Sequence, residues 1–191
     1  DMLDKRDCFE LNYPADKAPP EKGMFKAIFL DNCLVDTNQD GTSFHNPDKN
    51  TDFYEIYELI KRILSKSDKP LMFSELSEVL RAPPYGIKKG IHPVIFLAFY
   101  LSNEENIAIY EDSLYKPYFN SEAIERLASK SPSFSFKFHS FEGQNKIIEE
   151  YANILSKDPE EKNVLTIVKK LSKTMSILPD YTLSTQSALS E

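Results

Sequence analysis

The sequence predicts an α+β fold with helix in excess, centred on a winged helix-turn-helix. Three patterns carry this. Two apolar stripes at helical spacing and a third segment apolar nearly all round follow one another between residues 53 and 103, and two short runs rich in β-branched and aromatic residues come next. After them, in the run from Phe134 to Phe141, Phe134, Phe136 and Phe138 alternate with the polar Ser135, Lys137 and His139. The 191 residues are 41% apolar and 28% charged, with 13 Phe and 10 Tyr, so a packed core is affordable and a disordered or fibrous chain is excluded.

The stretch through about Asn50 reads as an irregular lead-in punctuated by Pro14, Pro19 and Pro20. Pro20 suits a helix start, and Met24, Phe25, Ile28, Phe29 and Leu34 predict a helix over 21–34. Asp36 to Gly41 reads as a turn, with Gly41 free to take positive φ. Asn50-Thr51-Asp52 is placed to cap a helix over 53–65, whose stripe is Phe53, Ile56, Tyr57, Ile60, Ile63 and Leu64. Ser74 is placed as the N-cap of a second, shorter helix that Pro83 and Pro84 terminate, since neither continues one. A third helix runs from Ile91 or His92 to Asn103, with Pro93 in its first turn.

Ile107-Ala108-Ile109-Tyr110 and Leu114 to Phe119 then predict a hairpin across Glu111-Asp112-Ser113, with Pro117 confining the second strand to an edge. Asn120 caps a helix ending near Pro132, and the alternating run that follows is placed as a third strand added to the wing. Two helices, over about 144–157 and 160–177, close the pattern. The expected divisions are a lead-in over 1–52, a winged-helix domain over 53–141, a C-terminal helical pair over 142–178 and a tail over 179–191.

Cys8 and Cys33 are the only cysteines, which excludes a disulfide scaffold and predicts a reduced, cytoplasmic setting with both thiols as small core hydrophobes. No apolar run approaches the roughly 20 residues a membrane span needs; the longest, Ile91 to Leu101, contains His92 and Pro93. The charged opening Asp1 to Asp7 is not a signal peptide, and both ends read as cut from something longer.

Asp36-x-Asn38-x-Asp40-Gly41 resembles the opening of a calcium loop, where alternating oxygens converge on a hard cation. The twelfth position, normally a bidentate Glu, is Pro47, so a plain polar turn is the expectation. His45, His92 and His139 are far apart in sequence and form no ligand pair; no nucleophile elbow or phosphate-binding glycine loop is present. No catalytic residue, metal or cofactor is therefore expected, and no small-molecule substrate is evident.

The remaining chemistry is basic. Arg81, Lys88, Lys89 and His92 gather between the second and third helices, where a winged helix meets phosphates. Lys116, Arg126 and Lys130 add to the candidate contacts, with Tyr85 on the same connector. Two features oppose DNA reading. The net charge is −7, and the third helix, Val94 to Leu101, is apolar nearly all round, so it cannot present polar groups to base edges.

The run Pro83-Pro84-Tyr85-Gly86-Ile87-Lys88-Lys89-Gly90-Ile91-His92-Pro93-Val94 resembles a P-P-Y-G-L-x-x-G-x-x-P-V stretch of very large bacterial P-loop ATPases linked to phage-exclusion (BREX-type) defence. Ala108-Ile109-Tyr110-Glu111-Asp112 is similar to that family's hairpin, and Ile124 to Leu127 and Phe134-x-Phe136 continue the likeness. Pro19-Pro20-Glu21 upstream and Leu178-Pro179-Asp180-Tyr181-Thr182 downstream resemble flanking segments in the same order. Ser113 departs from the family's hairpin glycine, and Pro117 comes early. The resemblance implies a module lying downstream of an ATPase motor. The expected function is a non-catalytic interaction module that contacts other domains or subunits of a larger assembly, or the DNA backbone. The alternative is a stand-alone, sequence-independent DNA-binding winged helix.

Overall fold

The structure, a computed structural model, describes residues 3–14, 16–17, 19–139 and 164–178. The chain divides into two compact units, Asp1–His139 and Ser140–Glu191. The residues read as a lead-in lie inside the first.

Helix α1 (Pro20–Phe25) starts on Pro20, whose missing N–H costs nothing in a first turn, and passes into a π-type turn over Lys26–Leu30. The helix expected to reach Leu34 stops at Leu30. Cys33 takes a left-handed φ of 52° and the Leu34 N–H donates to the Phe29 carbonyl at 2.9 Å, so Leu34 enters the core just ahead of a strand and Val35 at its start. That strand, β1 (Val35–Asn38), pairs antiparallel with β2 (Gly41–Phe44). A Cβ on Gly41, at φ 145°, would stand 2.7 Å from the Arg6 carbonyl, so glycine permits the approach in which the Thr42 N–H bonds that oxygen.

Helix α2 (Asp52–Lys66) buries Tyr57, Leu59, Ile60 and Leu64. The two-residue strand β3 (Leu71–Met72), too short for a periodic signal, leads into α3 (Phe73–Arg81). Helix α3 has Met72 at its N-cap, two residues before the expected Ser74, and the Met72 N–H donates to Glu75 Oε2 at 3.2 Å. It ends where Ala82 turns extended ahead of Pro83-Pro84. Helix α4 (His92–Ser102) carries Pro93 in its first turn and buries Ile95, Phe96, Leu97, Ala98, Phe99 and Tyr100. Strands β4 (Ile107–Glu111) and β5 (Leu114–Lys116) form the expected hairpin. Asn120 Oδ1 caps α5 (Ser121–Ser129) by accepting the Ala123 N–H at 3.0 Å, and β6 (Phe134–Phe138) follows.

One sheet runs β3-β6-β4-β5, antiparallel throughout. The alternating run is therefore not a strand added to the outside of the wing: β6 sits between β3 and β4. The registers Ile107↔Phe138 and Ile109↔Phe136 put the phenylalanines and isoleucines on one face. A strand with Phe134 and Phe136 at 0% exposure needs neighbours on both sides, whereas β5, followed by Pro117, tolerates the edge. Helices α2 and α3 pack on β6. Phe96 meets Phe136 at 4.2 Å between ring centroids, and Phe73 lies 5.4 Å from Phe96. Each such ring, fully buried, contributes about 2–3 kcal/mol. Phe25, Phe29, Leu34 and Val35 of the lead-in belong to the same core.

In the second unit, α6 (Val164–Ile177) matches most of the last expected helix. The helix expected over 144–157, Phe141 and the tail over 179–191 lie outside the described residues. No helix among the described residues is long and apolar enough to cross a membrane.

Candidate functional site

The connector from α3 to α4 is built by its backbone. The Ala82 carbonyl accepts the Tyr85 and Gly86 N–H groups at 3.2 Å, and the Ile87 N–H returns to the Leu80 carbonyl at 3.0 Å. Gly86 supplies the left-handed φ of 60° that this reversal requires. Ile87 is thereby drawn inward, and Lys88 and Lys89 are left exposed beyond it.

His92 was expected among the contact residues, and the structure removes it from them. It is 0% exposed, and both ring nitrogens are occupied. Nε2 lies 2.9 Å from the Ile87 carbonyl, which only accepts, so this nitrogen carries the proton. Nδ1 then accepts from the Ser77 hydroxyl on α3. The imidazole is an internal strut joining α3, the connector and α4, because a buried polar ring is stable only when fully bonded.

The other candidates separate into groups. Lys116 and Arg126 converge on Glu111: Arg126 Nε lies 2.6 Å from Oε1, Arg126 Nη2 3.1 Å from Oε2, and Lys116 Nζ 3.4 Å from Oε2. The Arg126 hydrogen bonds, helped by the two positive charges, hold the Glu111 carboxyl below its ordinary range against the opposing effect of burial. Arg81 pairs with Glu78 one turn back on α3 at 2.5 Å. Lys88, Lys89 and Lys130 are exposed and have no ion pair among the described residues. A cleft of about 350 Å³ brings Lys89, Gly90 and Pro93 opposite Leu127 and Ser129 at the end of α5, one residue before Lys130. Tyr85 is half-buried against the core edge and faces α2 instead.

The calcium-like turn is occupied by its own backbone. Asn38 Oδ1 accepts the Asp40 and Gly41 N–H groups at 2.9 and 3.0 Å, and Asp36 lies 3.7 Å from His45 Nδ1. Among the described residues no cluster of three or more His, Cys, Asp or Glu side chains is disposed to hold a metal. Burial, with Lys137 nearby, holds the His139 imidazole below its ordinary pKa, so the ring is not the freely solvated one expected. Both cysteines are free; Cys33 is exposed and Cys8 partly so, which corrects their expected place in the core. Cys33 lies outside because the turn that shortens α1 needs it there.

Sequence reasoning missed a second cleft, of about 450 Å³, where Tyr85 meets Tyr54, Glu55, Glu58 and Arg62 on the outer face of α2. The three- and four-residue spacing of those α2 side chains was legible, but nothing local placed Tyr85 across from them. No protein-family model, no curated protein and no solved structure matches this chain.

Proposed function

We propose that this chain is a non-catalytic interaction module with a winged-helix core, working within a large P-loop ATPase of the phage-exclusion defence class and contacting protein partners. The order α2, β3, α3, α4, β4, β5 supports the winged-helix reading. The Pro83 to Val94 block supports the ATPase setting. The observation that carries the choice of partner is the burial of α4. In a DNA-reading winged helix the helix at this position enters the major groove with polar side chains. Here it lies in the core, with Phe96 and Ala98 at 0% exposure and Phe99 and Tyr100 at 1%.

The second reading is sequence-independent contact with the DNA backbone, which Lys88, Lys89 and Lys130 favour as unpaired cations. Titration into duplex DNA at a series of salt concentrations separates the two. Three lysines meeting phosphates give a slope of log K on log salt no steeper than about −3. Tight binding at physiological salt with a slope near that value would overturn the protein-partner reading, and no binding at low salt would remove the DNA one. Hydrolysis of ATP by the purified chain would contradict the non-catalytic assignment.

A further inference from the structure

The cleft between α2 and the connector has an unusual set of walls. Tyr54 and Tyr85 are half-buried, and Glu55, Glu58 and Arg62 are exposed. None of these five polar groups has a hydrogen bond or ion pair among the described residues. Glu58 and Arg62 are four residues apart, a spacing at which such side chains ordinarily meet. The space between helix and connector, about 450 Å³, is large enough for one long side chain.

We infer that this cleft is a binding site for an arginine side chain of a partner protein. Two phenol rings beside two carboxylates match a guanidinium on both of its chemical faces. The flat cation stacks on the rings, and its forked N–H groups reach carboxylate oxygens. Charge points the same way: two carboxylates against the single cation Arg62 leave the cleft one positive charge short. A lysine ammonium fits less well, because it is more strongly hydrated and cannot use rings and carboxylates in one plane. An acidic or neutral apolar side chain would leave the carboxylates uncompensated. Arg62 has the role of a competitor, repelling the incoming guanidinium from the cleft rim.

The inference rests on the protein-partner reading above and deepens it. A capped triarginine peptide is titrated into the 191-residue chain at low salt and followed by amide chemical-shift mapping. The expected shifts centre on residues 54–62 and 85–86, with trilysine and triglutamate responding more weakly. Glu55→Gln and Glu58→Gln are each expected to weaken binding about threefold, as exposed charge pairs do. Tyr85→Leu, which keeps apolar bulk but removes the ring face, is expected to cost about as much. Arg62→Gln is expected to tighten binding, a gain that a merely destabilised variant would not produce. Equal responses to trilysine, shifts spread over other acidic surfaces, or affinities unchanged by Glu58→Gln and Tyr85→Leu would each overturn the site. Tight DNA binding at physiological salt with triarginine binding intact would remove the protein-partner reading and leave the cleft. Failure of triarginine with no DNA binding at low salt would do the reverse.

Discussion

His92 and Glu111 are polar residues whose partners were invisible in the sequence, and each sets a measurable stability. His92→Ala leaves the Ser77 hydroxyl and the Ile87 carbonyl without their bonds and opens a void between α3 and α4. The expected loss is about 3 kcal/mol, read from the midpoint of urea unfolding. It is also expected to loosen Lys88 and Lys89, which stand directly beyond Ile87. Glu111 acts through charge. Its folded carboxyl titrates below the ordinary 4.5, so its contribution is fully present above that pH and fades as pH falls through the lower folded value. Because the Arg126 side chain is 42% exposed, solvent screening keeps that contribution small. Glu111→Gln should therefore destabilise at pH 7 and become indistinguishable from the parent in strong acid, as thermal melts across pH would record.

Single elements add constraints that no one residue carries. The β4–β5 turn places Asp112 and Ser113 at φ 50° and 68°, the two left-handed positions of a two-residue hairpin. Ser113 occupies the position where the resembled family has glycine, and the structure shows the backbone to be the glycine-favouring one. Ser113→Gly is expected to stabilise the hairpin by about 1 kcal/mol, measured as a rise in unfolding midpoint. In β6, Phe136 faces Phe73, Phe96 and Phe119 at once. Phe136→Ala is expected to cost about 4 kcal/mol and to broaden the unfolding transition, since the central strand loses its contact with two helices. Alternation alone predicted that this segment is a strand. Its place in the middle of the sheet came from pairing with the two-residue β3, which has no periodicity to read.

At the scale of the whole molecule, the net charge of −7 and the arrangement of cations act together. Of the eight contact residues read from the sequence, His92 is buried, Arg81, Lys116 and Arg126 are paired with carboxylates, and Tyr85 faces α2. Replacing Lys88, Lys89 and Lys130 together by Gln is expected to abolish any residual DNA affinity while leaving the fold intact, as filter binding and circular dichroism would show. By itself the sequence determined the helices and the three longer strands between 52 and 138, but not the two-residue β3, because periodicity, prolines and caps are local and the core burial agreed with them. It also determined that α4 is a core helix, since a run apolar on every side has no solvent face to offer. Tertiary structure alone decided the order of strands in the sheet, the inward turn of His92, the pairing of Arg126 and Lys116 through Glu111, and the cleft under Tyr85. Each of these joins residues from different elements or turns, and such pairings depend on where the backbone closes rather than on the chemistry of either residue taken singly.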